Sequence, residues 1–200
     1  MVVSTDDEEI GEIGKSYGAE IFFRSHNISK DSSRDHELIL HTLEKLQSDP
    51  EDINIIFLRP THPIRSTLIV ETALQTYLQN SEIDSLRSMK HSKEIIFKSW
   101  FIGREGLAIT AFNQDATDII DPPNAPRQEL PQTYYQDGYV DIFSGETVKK
   151  FGNTSGERVL PFLIEDFSHD IDTLEDFSII ENFLLENSFP GWMAQPKKCP

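Results

Sequence analysis

The chain has 200 residues, with 18 Lys and Arg against 34 Asp and Glu, a formal net charge of −16. Most of such a surface repels phosphate, which argues against general nucleic-acid binding and means that a polyanionic ligand must be met by a local basic pocket or a divalent cation. A single cysteine, Cys199, excludes an intramolecular disulfide and a cysteine-built zinc site. No apolar run approaches the ~18 residues of a membrane span, and the opening MVVSTDDEE lacks the basic start of a secretory signal, so a soluble cytoplasmic globular protein is expected.

In chain order, Met1–Ser4 is apolar and β-branched and reads as a short strand. Asp6 then suits a helix N-cap with Glu9 three residues on, and Tyr17-Gly18 suits the helix end. Ala19–Phe23 reads as a second strand and Arg24–Ser33 as a polar loop. Leu38, Ile39, Leu43 and Leu46 recur at helical spacing, so a helix is predicted from Arg34 to about Gln47, stopped by Asp49-Pro50. Ile53–Leu58 is the most apolar strand candidate and is expected to be the most buried. Ser66 caps a predicted helix to Leu78 with Leu68, Ile69, Ala73, Leu74 and Tyr77 inward, and Asp84–Met89 is the next strand. This alternation implies a mostly parallel sheet with helices on both faces, an α/β architecture.

The style then changes. Ile95–Phe101 and Leu107–Phe112 flank Gly103 and Gly106 as a hairpin, and Asn113–Gln132 is a long polar stretch with four prolines. Tyr139–Phe143 and Arg158–Ile164 are the last strand candidates, and Thr173–Glu186 is an amphipathic helix. The expected organisation is one domain over 1–186, an arm at about 95–133 and a tail over 187–200.

Chemistry-bearing residues are sparse. No GxGxxG, GxxxxGK[ST] or GxSxG motif occurs, and the six histidines show no metal spacing. Asp170 and Asp172, at i and i+2, point to one side of an extended backbone and can share a hard divalent cation. Alternatively Asp172 or Thr173 simply caps the helix that carries Glu175 and Asp176 in its first turn, and spacing alone favours that reading. Arg24, Arg59, Arg65, Arg87, Lys98 and Arg127 fall near predicted strand ends, where cations can hold a triphosphate or a sugar carboxylate, although each alone is as well explained by surface pairing. Leu58-Arg59-Pro60-Thr61-His62-Pro63-Ile64-Arg65 is a stiff polar turn after the most apolar strand, suited to a ligand or to a rigid connection.

Several segments occur together in a familiar order: Val2-Val3-Ser4-Thr5-Asp6, Tyr17-Gly18-Ala19-Glu20, Leu58-Arg59-Pro60-Thr61 with Pro63-Ile64-Arg65, and Ser85-Leu86-Arg87-Ser88. Ala125-Pro126-Arg127-Gln128-Glu129-Leu130-Pro131, Asp137-Gly138-Tyr139-Val140-Asp141 and Asp170-Ile171-Asp172-Thr173 follow. In this order the chain resembles the acylneuraminate cytidylyltransferases, the CMP-sialic-acid synthetase family. The resemblance implies a Rossmann-like nucleotidyltransferase fold, a dimer, and transfer of CMP from CTP to a nine-carbon 2-keto sugar acid with Mg²⁺ and release of pyrophosphate. By the same resemblance, Asp170 and Asp172 match metal-binding aspartates, and Lys98 and Arg127 match basic residues near the sugar acid and phosphates, the expected catalytic pair. Arg59 and Arg65 are expected at the sugar, and Arg24 with Asp31, Ser33 and Asp35 at the cytidine. The stretch from about 95 to 133 matches an arm that packs on a partner subunit.

Two departures are visible. Many family members carry Gln where Arg59 stands. Members also begin with a further strand and a basic phosphate loop ahead of the strand that starts here at Met1, so the chain is expected to be N-terminally truncated and weak on CTP. A non-catalytic sugar-binding or partner subunit is therefore the alternative expectation, and an acidic α/β interaction protein a third.

Overall fold

The computed structural model describes residues 1–30, 32–47, 49–112 and 118–187. Its first half keeps the strict alternation: β1 (Val2–Thr5), α1 (Glu8–Ser16), β2 (Glu20–Phe23), α2 (Asp35–Leu46), β3 (Asn54–Phe57), α3 (Thr67–Leu78) and β4 (Ser85–His91). β1 and β2 pair in parallel, Val2 opposite Glu20, as a helical crossover requires. The cap of α1 is Asp7 rather than the expected Asp6: its Oδ1 accepts the Ile10 N–H at 2.9 Å. Asp6 instead faces Arg24, Nη2 to Oδ1 3.2 Å. Gln47 ends α2 in the left-handed region at φ 51.

The second half comprises β5 (Trp100–Ile102), β6 (Ala108–Thr110), β7 (Tyr134–Ser144), α4 (Gly145–Phe151), β8 (Val159–Leu163) and α5 (Leu174–Asn187). The central sheet has the order β3-β7-β4-β8. β4 and β8 are parallel, and β7 runs antiparallel to both β3 and β4. The reversal of β7 has a simple cause. The chain leaves β4 at His91, makes the arm, and re-enters opposite its exit: His91 pairs with Tyr134, and the Ser92 N–H reaches the Thr133 carbonyl at 2.9 Å. The arm is thus an insertion in a wide β4–β7 hairpin, which must be antiparallel.

Each sheet face is covered. Leu86, Val140 and Ile142 pack with Ala73 and Tyr77 of α3, whereas Phe143 packs with Ile39 and Leu43 of α2 and Val148 of α4. This is the helix-sheet-helix layering expected of an α/β chain. Three expectations need correction. β3 is not the most buried strand: it lies at one end of the four-stranded order, with Ile56 38% exposed, and β7 carries the core because it is flanked on both sides. Leu68 lies outside, since the inward stripe of α3 runs Ile69, Ala73, Tyr77 at four-residue steps. Helix α4 was not anticipated. It has seven residues, Ser144 at its N-cap accepting the Thr147 N–H, and Gly152 at φ 63 at its end, too short to show a hydrophobic period.

The arm protrudes. β5 and β6 pair only with each other among the described residues. Phe97, Ala125 and Leu130 form a small buried cluster of their own, with Ile95, Phe112 and Ile119 packed against it. Trp100, Phe101, Ile102, Leu107 and Ile109 are each half or more exposed, an apolar patch of the kind that marks an interaction surface. No helix among the described residues is long and apolar enough to cross a membrane.

Candidate functional site

Two polar centres are built around β7, and both depend on one irregularity. Arg87 of β4 stands opposite Asp141, yet Met89 stands opposite Gln136, so residues 137–140 pass the single Ser88. Gly138, at φ 75, takes the conformation this bulge needs. The Ser88 hydroxyl accepts the Val140 N–H at 2.9 Å and Asp137 Oδ1 accepts the Tyr139 N–H at 3.1 Å, which replaces the ladder bonds lost at the bulge.

The first centre is a cavity of about 320 Å³ whose walls include His62, Asp137, Ser168, Asp170 and Asp172. Its walls come from the turn after β3, the β7 bulge and the connection from β8 to α5, hence from the carboxyl ends of two strands that run the same way, where α/β sheets bind ligands. The β8–α5 connection is tied down at four points. Lys90 Nζ donates to the carbonyls of Asp166 (3.0 Å) and Ser168 (3.1 Å). The Ile171 N–H donates to the Thr61 carbonyl at 2.8 Å. Ser168 Oγ donates to Asp137 Oδ2 at 2.7 Å and lies 2.6 Å from His62 Nε2. Asp176 closes the far end: it accepts from the Thr173 hydroxyl (2.7 Å) and from His169 Nε2 (2.7 Å), which, the hydroxyl first, draw its carboxyl down to about 2.

Asp170 and Asp172 face this cavity together. Asp170 Oδ1 accepts only the adjacent Ile171 N–H, and the Asp172 carboxylate has no hydrogen-bond partner among the described residues. The helix-cap role weighed for Asp172 or Thr173 falls partly to Thr173, whose Oγ1 accepts the Asp176 N–H at 3.2 Å. That leaves the Asp172 carboxylate and one oxygen of Asp170 without a hydrogen bond among the described residues. Such carboxylate oxygens are hard donors suited to Mg²⁺ completed by phosphate oxygens and water. No group of three or more His, Cys, Asp or Glu among the described residues could hold a cation alone. Burial, and then the Arg65 charge, lower the His62 pKa, and burial also lowers that of Lys90.

The second centre is Asp141, 1% exposed. Its Oδ2 accepts from Arg59 Nη1 (2.7 Å), Gln136 Nε2 (2.9 Å) and Arg87 Nη1 (3.3 Å). Arg59 Nη2 continues to Asp35 Oδ2 at 2.7 Å, and Arg87 Nη2 donates to Thr154 Oγ1 at 2.6 Å. Sequence reasoning missed this hub. Its signal was a carboxylate in the apolar run Tyr139–Phe143 and an arginine in Ser85–Ser88, because charges buried in a central strand must be paired.

The predicted site residues divide accordingly. Asp170 and Asp172 share one cavity, and Arg59 and Asp35 share one ion pair. Arg65 is engaged internally, Nε to the Tyr139 carbonyl and Nη2 to the Arg59 carbonyl, both 2.6 Å, and burial lowers its pKa to about 10. Arg24 binds the Ser4 carbonyl (2.7 Å) and Asp6, at the carboxyl ends of β1 and β2. Ser33 closes a local turn by accepting the Lys30 N–H at 3.0 Å, and Asp31 lies outside the described residues. Lys98 and Arg127 are in the arm and not in the wall of the cavity. Lys98 Nζ donates to the carbonyls of Pro123 (3.0 Å) and Ala125 (2.8 Å), whereas the exposed Arg127 guanidinium has no partner among the described residues.

No family model matches the chain. It is 25% identical over 196 residues to the post-translational flagellin modification protein B of Campylobacter coli, covering 94% of this chain and 78% of that protein. It is 24% identical over 178 residues to an N-acylneuraminate cytidylyltransferase of Streptococcus agalactiae, covering 88% of this chain but only 40% of that enzyme. Among solved structures it superposes on CMP:2-keto-3-deoxy-manno-octonic acid synthetase complexed with CTP, with a TM-score of 0.62, 13% identity, and coverage of 92% of this chain and 80% of that one. The last likeness establishes the fold alone, a Rossmann-like α/β architecture shared with that structure.

Proposed function

Because this chain is similar over most of its length to N-acylneuraminate cytidylyltransferases, we propose that it transfers CMP from CTP to a sialic-acid-like nine-carbon 2-keto sugar acid, with release of pyrophosphate. The observation that supports this most is the pair Asp170 and Asp172, two carboxylates on the wall of one cavity at the carboxyl ends of the sheet strands. They are the residues that would hold Mg²⁺. When bound there, such an ion would neutralise charge developing on the phosphates.

In the proposed reaction the anomeric hydroxyl oxygen attacks the α-phosphorus of CTP. A sugar C–O–P bond forms, the hydroxyl proton is released to water, the bond from the α-phosphorus to the bridging oxygen breaks, and pyrophosphate leaves in line. The chain's own part is positioning and electrostatics rather than covalent catalysis. The 33–35 turn and Arg24 would lie toward the cytidine, and Arg59 and Arg65 would shape the sugar side from their internal ion pairs and carbonyl contacts. Arg127, an exposed guanidinium on the arm with no partner among the described residues, would clamp the sugar carboxylate from a second copy whose hairpin packs across the cavity, and Lys98 would hold the arm in shape. The exposed apolar hairpin supports that dimer, and the single cysteine fits a reducing, cytoplasmic setting.

One observation favours a second reading. Arg59, Arg65 and Lys98 are all engaged within the chain, as they would be in a non-catalytic sugar-binding or partner subunit. Pyrophosphate release from CTP, measured with a panel of nonulosonic acids, separates the two. The transferase reading expects release that requires one of the sugar acids and is lost in Asp170→Asn/Asp172→Asn. Sugar-acid binding without any release would establish the alternative.

A further inference from the structure

The β8–α5 connection has no regular structure, yet it carries the two carboxylates that must meet one cation. Besides the Lys90 bonds to its carbonyls, a three-member hydrogen-bond chain holds it. A carboxylate only accepts, so the single Ser168 hydroxyl proton goes to Asp137 Oδ2 at 2.7 Å. The 2.6 Å contact with His62 must then be an Nε2–H donated to Ser168 Oγ. This sets the tautomer and leaves Nδ1 as the lone-pair nitrogen. Nδ1 is sealed from solvent with no partner among the described residues, and the whole residue is 1% exposed. His62 therefore cannot take a proton from a substrate in the cavity. Its Nε2–H points at the connection instead, and it is rigidly seated: its ring meets the Tyr139 ring edge-on at 5.2 Å. At the other end Asp137 is anchored by the bulge through the Tyr139 N–H. Two residues beyond Ser168 comes Asp170, and the Ile171 N–H is already bonded to Thr61, the neighbour of His62.

We propose that His62, acting through Ser168 and Asp137, is a positioning residue that sets the spacing of Asp170 and Asp172 for a divalent cation. The proposal rests on the assignment of those two aspartates as cation ligands. Partners one step beyond direct ligands typically control metal affinity by about 10–100-fold when removed. A leucine at position 62 fills the buried space but donates nothing. A glutamine places an amide N–H near the position of Nε2 and should restore the bond.

The test is direct binding of Mn²⁺, used as a spectroscopic stand-in for Mg²⁺, to the full chain in the presence of CTP, read from the free Mn²⁺ electron paramagnetic resonance signal. Ser168→Ala and His62→Leu should each weaken Mn²⁺ binding by about tenfold or more, and His62→Gln should stay within about twofold of the parent. Thermal melting of the same samples confirms folding, and Ser168→Ala decides the matter should His62→Leu fail to fold. Parent-like Mn²⁺ binding by Ser168→Ala and His62→Leu, alongside loss in Asp170→Asn/Asp172→Asn, overturns this proposal alone. His62→Gln as weak as His62→Leu overturns the role of the Nε2–H. Unchanged binding in Asp170→Asn/Asp172→Asn overturns the ligand assignment and this proposal with it.

Discussion

Replacing Asp141 by asparagine removes one negative charge from a site that is 1% exposed, at almost constant volume. Three donors converge on its Oδ2, from Arg59, Gln136 and Arg87. Their fates differ. Arg59 keeps Asp35, and its side chain is a quarter exposed. Arg87 has a side chain only 9% exposed, and Asp141 is its sole ion-pair partner among the described residues. Its Nε already lacks a hydrogen-bond partner among the described residues. The substitution therefore strands a buried guanidinium beside a neutral amide, whose carbonyl oxygen can take the place of Oδ2 while its N–H₂ falls at the buried Oδ1 position, which has no partner among the described residues. Breaking a buried pair from one side costs about 3–5 kcal/mol, because one charge is left uncompensated. At about 2–4 °C per kcal/mol for a chain this size, melting should fall by roughly 6–20 °C. Urea denaturation followed by far-ultraviolet circular dichroism measures the loss. Arg87→Met/Asp141→Leu, which removes both charges, should recover much of it. A loss under about 1 kcal/mol in Asp141→Asn, or a double variant as unstable as the single one, would refute the view that the hub is held by charge pairing.

Other substitutions give sharp outcomes. Asp84 Oδ2 accepts the Glu157 and Arg158 N–H groups, which hold its carboxyl below the usual range, the Arg158 bond first. A depressed carboxyl stabilises the fold above its unfolded value of about 4, and that contribution is lost as pH falls below it; Asp84→Asn should therefore flatten the acid limb of a stability-against-pH profile. Gly156 has φ +66, and an added Cβ would sit 2.2 Å from the Asp84 Cβ, so Gly156→Ala should cost about 1–3 kcal/mol or more in chemical denaturation. Arg127→Ala should raise the KM for the sugar acid by the equivalent of about 1.5–3 kcal/mol, the worth of a charge-assisted contact, and leave thermal melting within a degree or two.

Much of the fold could be read from the chain because its first half obeys one period at a time. Leu38, Ile39 and Leu43 repeat at helical spacing, and each helix follows a strand, so α2 and its neighbours emerge within a residue or two. The direction of β7 was not legible, since it depends on where the arm closes: the His91–Tyr134 pairing joins residues separated by the whole insertion. Apolar content misled for β3, because Ile53–Leu58 reads as buried on both faces while its place in the sheet is decided by strand order. For the candidate site, the i, i+2 spacing of Asp170 and Asp172 fits a helix cap better than a cation pair, and it was their place in the order of the segments that singled them out. The groups that hold them in place were not. His62, Asp137 and Ser168 are far apart in sequence, and only the Gly138 bulge brings them together. Likewise Arg59 and Arg65 are basic in sequence, but their partners Asp141 and the Tyr139 carbonyl are supplied by a strand about 80 residues later.

The central claim is tested most directly by following the α-phosphorus. CTP labelled at that phosphate is incubated with Mg²⁺, the full chain and a nonulosonic acid, and the products are separated. The account predicts label in a CMP–sugar ester, formed one-for-one with pyrophosphate, above the rate without protein and lost in Asp170→Asn/Asp172→Asn. Label that remains in CTP with every sugar acid, or appears only as free CMP, would contradict it.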